Sequence, residues 1–180
     1  MAGFRHLRDE LIHRGWVIST FRSHFQAPDG TEFIRDVVRH PGAVSVVPLR
    51  EDGTVVLVRQ YRAAVDQFVL EIPAGKRDVA GEPPEQTAAR ELAEEVGLAA
   101  SEWTQLAVFH NSIGFSDELS TVFLARGLSD VPMDRQGVEE SFLEVVEMPL
   151  DAAVAAVHAG TITDAKTVIG LVMSAALLAG

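Results

Sequence analysis

The stretch from Val69 to Leu98 leaves this chain few folds to choose from. Val69-Leu70-Glu71-Ile72-Pro73 reads as a strand that ends at a proline. A Gly-bearing loop follows, and a helix opens near Pro83-Pro84 and stops before Gly97, a residue suited to the left-handed conformation that ends helices. Ala88, Ala89, Leu92, Ala93 and Val96 give this helix an apolar face, with Glu91, Glu94 and Glu95 on the opposite side. Such a helix docks on a sheet and turns its carboxylates to a cleft. At about 3.6 residues per turn, positions i, i+3 and i+4 share a face, so the three carboxylates repel one another unless a cation sits among them. Oxygen-only ligands suit hard divalent ions such as Mg²⁺ or Mn²⁺, which hold and polarise phosphate oxygens. On spacing alone a solvated acidic face would serve as well; the strand, the apolar back and the glycine stop favour the metal.

The rest of the chain supplies the sheet. Trp16-Val17-Ile18-Ser19-Thr20-Phe21 and Thr31-Glu32-Phe33-Ile34-Arg35-Asp36-Val37-Val38 alternate around a turn at Ala27-Pro28-Asp29-Gly30, which predicts a hairpin. A hairpin alone buries too little to be stable, so it should pack on the main domain or on a second subunit. Residues 43–49 and 54–59 read as central strands, 103–110 and 119–125 as two more, and 151–159 and 164–179 as helices. The order predicts an α/β protein with a mixed sheet covered by helices. We divide it into residues 1–40, an N-terminal helix/β-hairpin region, and residues 41–180, the domain that carries the glutamates.

Composition narrows the function. At 180 residues the chain suits one domain with a small appendage, and 47% hydrophobic with 23% charged residues is a globular composition. A net charge of −11 argues against a nucleic acid or an anionic membrane as partner, and leaves a phosphate substrate in need of a metal. There is no cysteine, hence no disulfide framework and no thiolate metal site, and the six histidines lack ligand spacing. The first sixteen residues lack the apolar core of a signal peptide, and the apolar run 167–180 is too short to span a bilayer, so the expected location is cytoplasmic.

Glu82, Arg90, Glu91, Leu92, Glu94, Glu95, Gly97 and Leu98 fall in register on the box of the Nudix hydrolases, which the chain therefore resembles; the leading Gly75 lies six residues before Glu82 instead of five. The likeness extends through 36–44, Val58-Arg59-Gln60-Tyr61-Arg62, 71–75, Gly114-Phe115-Ser116-Asp117-Glu118 and Asp164-Ala165-Lys166-Thr167, segments similar to the ADP-ribose pyrophosphatase branch. The proline usual in that branch fifteen residues after the box is here Ile113.

This resemblance implies an α/β/α sandwich and hydrolysis of the diphosphate in a nucleoside diphosphate sugar, with ADP-ribose giving AMP and ribose 5-phosphate. It implies Glu91 and Glu95 as main metal ligands, Glu94 as a further one and the Ala74 carbonyl completing the sphere. Arg90 would orient a box glutamate, and Glu82 would be structural. The branch often takes its base from a loop before the last strand, which points to Glu139 with Glu140 as runner-up. Arg35, Arg39, Arg59 and Arg62 would grip phosphates or stack on the base, and Glu118 would touch the ribose or a metal. Pairing through the N-terminal strands implies a homodimer. Two other readings stand beside it: the same chemistry on GDP-mannose or an oxidised nucleotide, and a Nudix-like module that senses a nucleotide without cleaving it.

Overall fold

The computed structural model describes residues 3–135 and 138–180, apart from the side chain of Glu139. The chain divides into two compact units: residues up to Gly42 together with Phe109–Leu119, and Ala43–Val108 together with Ser120–Gly180.

The first unit is built on an antiparallel sheet of β1 (Arg5–Arg14), β2 (Ser19–Gln26) and β3 (Glu32–Arg39), in that order. The predicted hairpin is present as β2 and β3, in unbroken register from Ser19↔Arg39 to Gln26↔Glu32. The helix expected ahead of it is instead strand β1, exposed along its whole length. Phe4, Leu7 and Leu11 have helical spacing, but pairing with β2 overrides it. Two register shifts absorb the mismatch, and Arg5 to Gln26 (2.6 Å) and Ser23 to Asp9 (2.6 Å) tie the strands side chain to side chain. The loop 109–119 is stitched to β3: the Val38 N–H donates to the Phe115 carbonyl at 2.7 Å, and the Asp117 N–H to the Val38 carbonyl at 3.1 Å.

The second unit holds the other strands and all the helices: β4 (Ala43–Pro48), β5 (Thr54–Arg62), β6 (Gln67–Glu71), β7 (Ala74–Lys76), α1 (Pro84–Val96), most of β8 (Leu98–His110) and β9 (Leu119–Asp130), α2 (Val138–Ser141), β10 (Glu144–Pro149), α3 (Leu150–His158) and α4 (Ala165–Ala179). One sheet runs β7-β4-β9-β8, with β4 parallel to β9 and antiparallel to β7, so it is mixed as expected. The other runs β10-β5-β6 and is antiparallel where the pairs are in register.

Strand alternation decides which helix covers which face. Val44 and Val46 on β4 join Val56 and Val58 on β5 in a core with Ala88, Leu92 and Val96 of α1. Val47, one step out of phase, faces α4, where a methyl on Gly170 would come within 2.8 Å of it and within 3.2 Å of Val122. Helix, sheet, helix is the resulting layering. Leu92 is fully buried, which stabilises docking of α1 by about 1.5–3 kcal/mol. Pro84 opens α1 as read, and Gly97 closes it at φ 68°, ψ 37°, its N–H on the Ala93 carbonyl.

Candidate active site

One side of α1 is apolar and buried, and the other lifts four charged side chains beside the short strand β7. Arg90 is the hub. Its Nη1 donates to Glu91 Oε1 and to Glu94 Oε2, both at 3.0 Å; its Nη2 donates to Glu82 Oε2 at 3.4 Å and lies 3.7 Å from Asp78. Although burial opposes it, the charges of Glu91, Glu94 and Glu82 raise the guanidinium's pKa further above its already high value. Glu82 is held below the usual carboxylate range by the Thr87 hydroxyl and by Arg90. The structure thus brings together Arg90, Glu82, Glu91 and Glu94.

Glu95 is placed differently. It is 4% exposed, and its Oε2 accepts the Ala74 N–H at 3.0 Å, so helix and strand β7 meet at this carboxylate. Burial pushes Glu95 up to about 8; the Ala74 N–H opposes the shift, and the charges of Glu91 and Glu140 reinforce it. Glu91 rises to about 7, again chiefly through burial, with Arg90 opposing and Glu94 and Glu140 adding repulsion. Gly75 leaves the space that Glu91 occupies: a Cβ there would fall 1.8 Å from the Glu91 Cδ.

Among the described residues, no three His, Asp or Glu side chains form a ready metal cage. Glu91 and Glu94 share Arg90 instead, and Glu95 turns to Ala74. The donor chemistry nevertheless fits a hard divalent cation. The donors are all oxygen, and Glu91 and Glu95 are packed so closely and so deeply that their charged forms need a counter-charge.

Of the two loop acids, Glu140 sits on α2 near enough for its charge to act on both Glu91 and Glu95. Glu139, the first choice from sequence, has its side chain outside the described residues. The residue that brings the loop here went unnoticed in the sequence: Arg135 donates from Nε to the Glu95 carbonyl at 3.0 Å and from Nη1 to the Leu143 carbonyl at 2.8 Å, spanning the end of α1 and the end of the loop. It is the lone cation of the segment 134–140, the only signal that could have singled it out.

The four arginines are dispersed. Arg59 and Arg62 lie on β5. Arg62 gives Nε and Nη2 to Glu71, both at 2.7 Å, and its charge reaches Glu95. Arg59, half exposed, lies over the Phe68 ring and 3.6 Å from Glu144. Arg35 and Arg39 belong to the other unit, where Arg35 covers the Phe33 ring and Arg39 bridges Asp9 and Asp117. Glu118 is in that unit too, 3.9 Å from the His40 ring.

A helix-sheet-helix fold with Arg-Glu and Glu-Glu pairs within about a turn and a half of one helix defines a class, and the family comparison agrees: residues 39–168 match the family model described as NUDIX domain, so the chain belongs to the Nudix family and is a Nudix pyrophosphohydrolase. Among its relatives, an ADP-ribose pyrophosphatase of Bacillus subtilis (strain 168) is 40% identical over 88% of this chain and 85% of its own. One of Mycobacterium tuberculosis is 38% identical over 98% of this chain and 86% of its own. A GDP-mannose pyrophosphatase of Yersinia enterocolitica is 33% identical over 91% of this chain and 90% of its own. The fold is shared with a crystal structure of an ADP compounds hydrolase, at TM-score 0.85 and 22% identity, covering 99% of this chain and 95% of that one.

Proposed function

We propose that this pyrophosphohydrolase is metal-dependent and cleaves the diphosphate of a nucleoside diphosphate sugar, with ADP-ribose the preferred substrate and AMP and ribose 5-phosphate the products. The observation that carries the reading is the pair of carboxylates beside β7, buried Glu95 on the Ala74 N–H and half-buried Glu91 against Gly75. Glu91, Glu95 and the Ala74 carbonyl would hold a Mg²⁺ or Mn²⁺ ion, with Glu94 as a further ligand. When bound, such an ion neutralises diphosphate oxygens and lowers the pKa of water.

The chain's own groups do the rest. Arg90 restrains Glu91 and Glu94 against mutual repulsion. In the reaction a water oxygen bonds to one phosphorus, and the bridging oxygen leaves with the other phosphate. The water's proton passes to a loop carboxylate, a role that the position of Glu140 supports and that Glu139 shares on sequence grounds. Arg59, with its exposed guanidinium, and Arg62, whose charge reaches Glu95, lie on β5 and serve the phosphates. Homodimerisation through the exposed strand β1 and a cytoplasmic location belong to the same proposal; no helix of the described residues is long and apolar enough to cross a membrane.

GDP-mannose hydrolysis is the second reading, favoured by the relative of that name. A panel of ADP-ribose, ADP-glucose and GDP-mannose with Mg²⁺ or Mn²⁺, read by phosphatase-coupled release of phosphate, separates the two. We expect the highest kcat/KM on ADP-ribose and a loss of at least about 10²-fold in Glu95→Gln. A GDP-mannose preference would install the second reading, and no cleavage of any member would refute both.

A further inference from the structure

The helix start Asp164-Ala165-Lys166-Thr167 has no part in the chemistry above, yet it is fastened to the strand end that feeds the site. Thr167 is fully buried. Its hydroxyl accepts the Ile72 N–H at 2.9 Å and donates to Asp164 Oδ2 at 2.6 Å, and the same carboxylate oxygen caps the helix by accepting the Thr167 N–H at 3.0 Å. Lys166 pairs with Glu71 and, at 2.9 Å, with Asp164. Arg62 forks onto Glu71 from the other side, so this 1%-exposed carboxylate is gripped by two cations.

Each of the four residues from the end of β6 to the start of β7 is therefore held by a partner elsewhere in the chain. Glu71 is held through its side chain and Ile72 through its N–H. Pro73 is held through its carbonyl, which accepts the Val46 N–H at 2.9 Å, and Ala74 through its N–H on Glu95. Pro73 has a locked φ and no N–H of its own, so a shift at Ile72 passes to Ala74 with little loss. Asp164 alone would suffice to cap α4. The Thr167 hydroxyl does something a cap does not require, which is to reach across to the strand.

We infer that Thr167 is a positioning residue for the carboxylate site: by fixing Ile72 it sets the register of Ala74, and so the meeting of Ala74 with Glu95. The structural part stands on hydrogen bonds alone; its consequence for metal binding rests on the function proposed above. In Thr167→Val the shape is nearly kept, but the Ile72 N–H loses its acceptor in a buried place. Thr167→Ser keeps the hydroxyl.

The test uses the full chain and two readouts. Amide hydrogen exchange at Ala74, compared with the core amides of Val56 and Leu124, reports on the corner without metal or substrate. Titration of free Mn²⁺ by electron paramagnetic resonance reports on ion binding. For Thr167→Val we expect exchange at Ala74 to rise about tenfold more than at Val56 and Leu124, and Mn²⁺ to bind about fivefold more weakly, with Thr167→Ser returning both to wild-type values. An equal rise at all three amides, or a serine variant that behaves like valine, would overturn the inference. Wild-type protein that binds no Mn²⁺, while Ala74 responds as expected, would refute the metal reading and leave the positioning role standing. Should Thr167→Val fail to fold, Asp164→Asn loosens the hydroxyl without deleting it and must raise Ala74 exchange in the same direction; unchanged exchange there overturns the inference.

Discussion

Gly75 offers a perturbation that separates catalysis from folding. It lies on β7 opposite Val44, and an alanine Cβ would stand 1.8 Å from the Glu91 Cδ and 2.2 Å from each Glu91 oxygen. Comfortable carbon contact is about 3.5–4.0 Å, so an overlap of roughly 1.5–2 Å must be relieved. The atoms in the way are the far end of a flexible side chain, not backbone, so Glu91 gives way and β7 stays. Stability should change by about 1 kcal/mol or less, below the usual cost of overpacking a rigid core. The Glu91 carboxylate, however, leaves both its place on the site and its bond from Arg90. A misplacement of about 1 Å in a reacting constellation costs on the order of 10²-fold, so kcat/KM for ADP-ribose should fall by that factor, equivalent to about 2.7 kcal/mol. Steady-state hydrolysis and thermal melting of Gly75→Ala measure the two quantities. Adding Glu91→Ala closes a cycle: once the Glu91 side chain is gone, Gly75→Ala should cost almost nothing more. Additive losses, activity within about threefold of wild type, or a collapse of the melting temperature would each refute the reasoning.

Two further outcomes concern the N-terminal sheet. Asp9 is held down to about 2 by the Ser23 hydroxyl first, then by His6 and Arg39, with slight burial opposing. Its folded pKa is thus below the unfolded value near 3.8, so its contribution is complete above pH 4 and fades as pH falls from there through 2. Melting of wild type and Asp9→Asn should therefore differ at pH 6 and converge between pH 4 and pH 2; a gap independent of pH would contradict the assignment. Strand β1 leaves Leu7, Leu11 and Ile12 exposed, and light scattering should report a dimer that deletion of the residues before Gly15 reduces to a monomer. A monomeric wild type at micromolar concentration would remove the dimer from the proposal.

What the sequence reveals and what it withholds divide along the range of the interactions concerned. The α1 helix is legible from end to end because its signals are local: Pro84 at the start, the apolar face of Ala88, Leu92 and Val96, and Gly97 in the left-handed conformation. The box register likewise implies that Arg90 bonds a box glutamate, and its meeting with Glu94 at i+4 follows from helix spacing, whereas Glu82 reaches Arg90 from ahead of the helix. Gly75, one residue further from Glu82 than in the box, still lies against Glu91, where a Cβ would fall 1.8 Å from the Cδ. Strand β1 departs from the expected helix because its conformation is set by pairing with β2, as far as Gln26, 21 residues from Arg5. Arg135 and Thr167 stayed hidden because their partners, Glu95 and Ile72, lie 40 and 95 residues away.

The arginines show the same divide at the level of charge. Sequence can say that Arg39 or Arg62 carries a fork suited to phosphate, but not how much of the fork the chain uses for itself. Arg39 spends Nη1 and Nη2 on Asp117 and Asp9, whereas Arg62 spends Nε and Nη2 on a single carboxylate and, among the described residues, makes no hydrogen bond from Nη1. A guanidinium held rigidly by one buried acid, with a donor to spare, is pre-organised to meet an anion at little entropic cost, and one stretched between two surface acids must first give them up. That difference, invisible in the spacing of the residues, is the ground for proposing that β5, and not β3, meets the diphosphate.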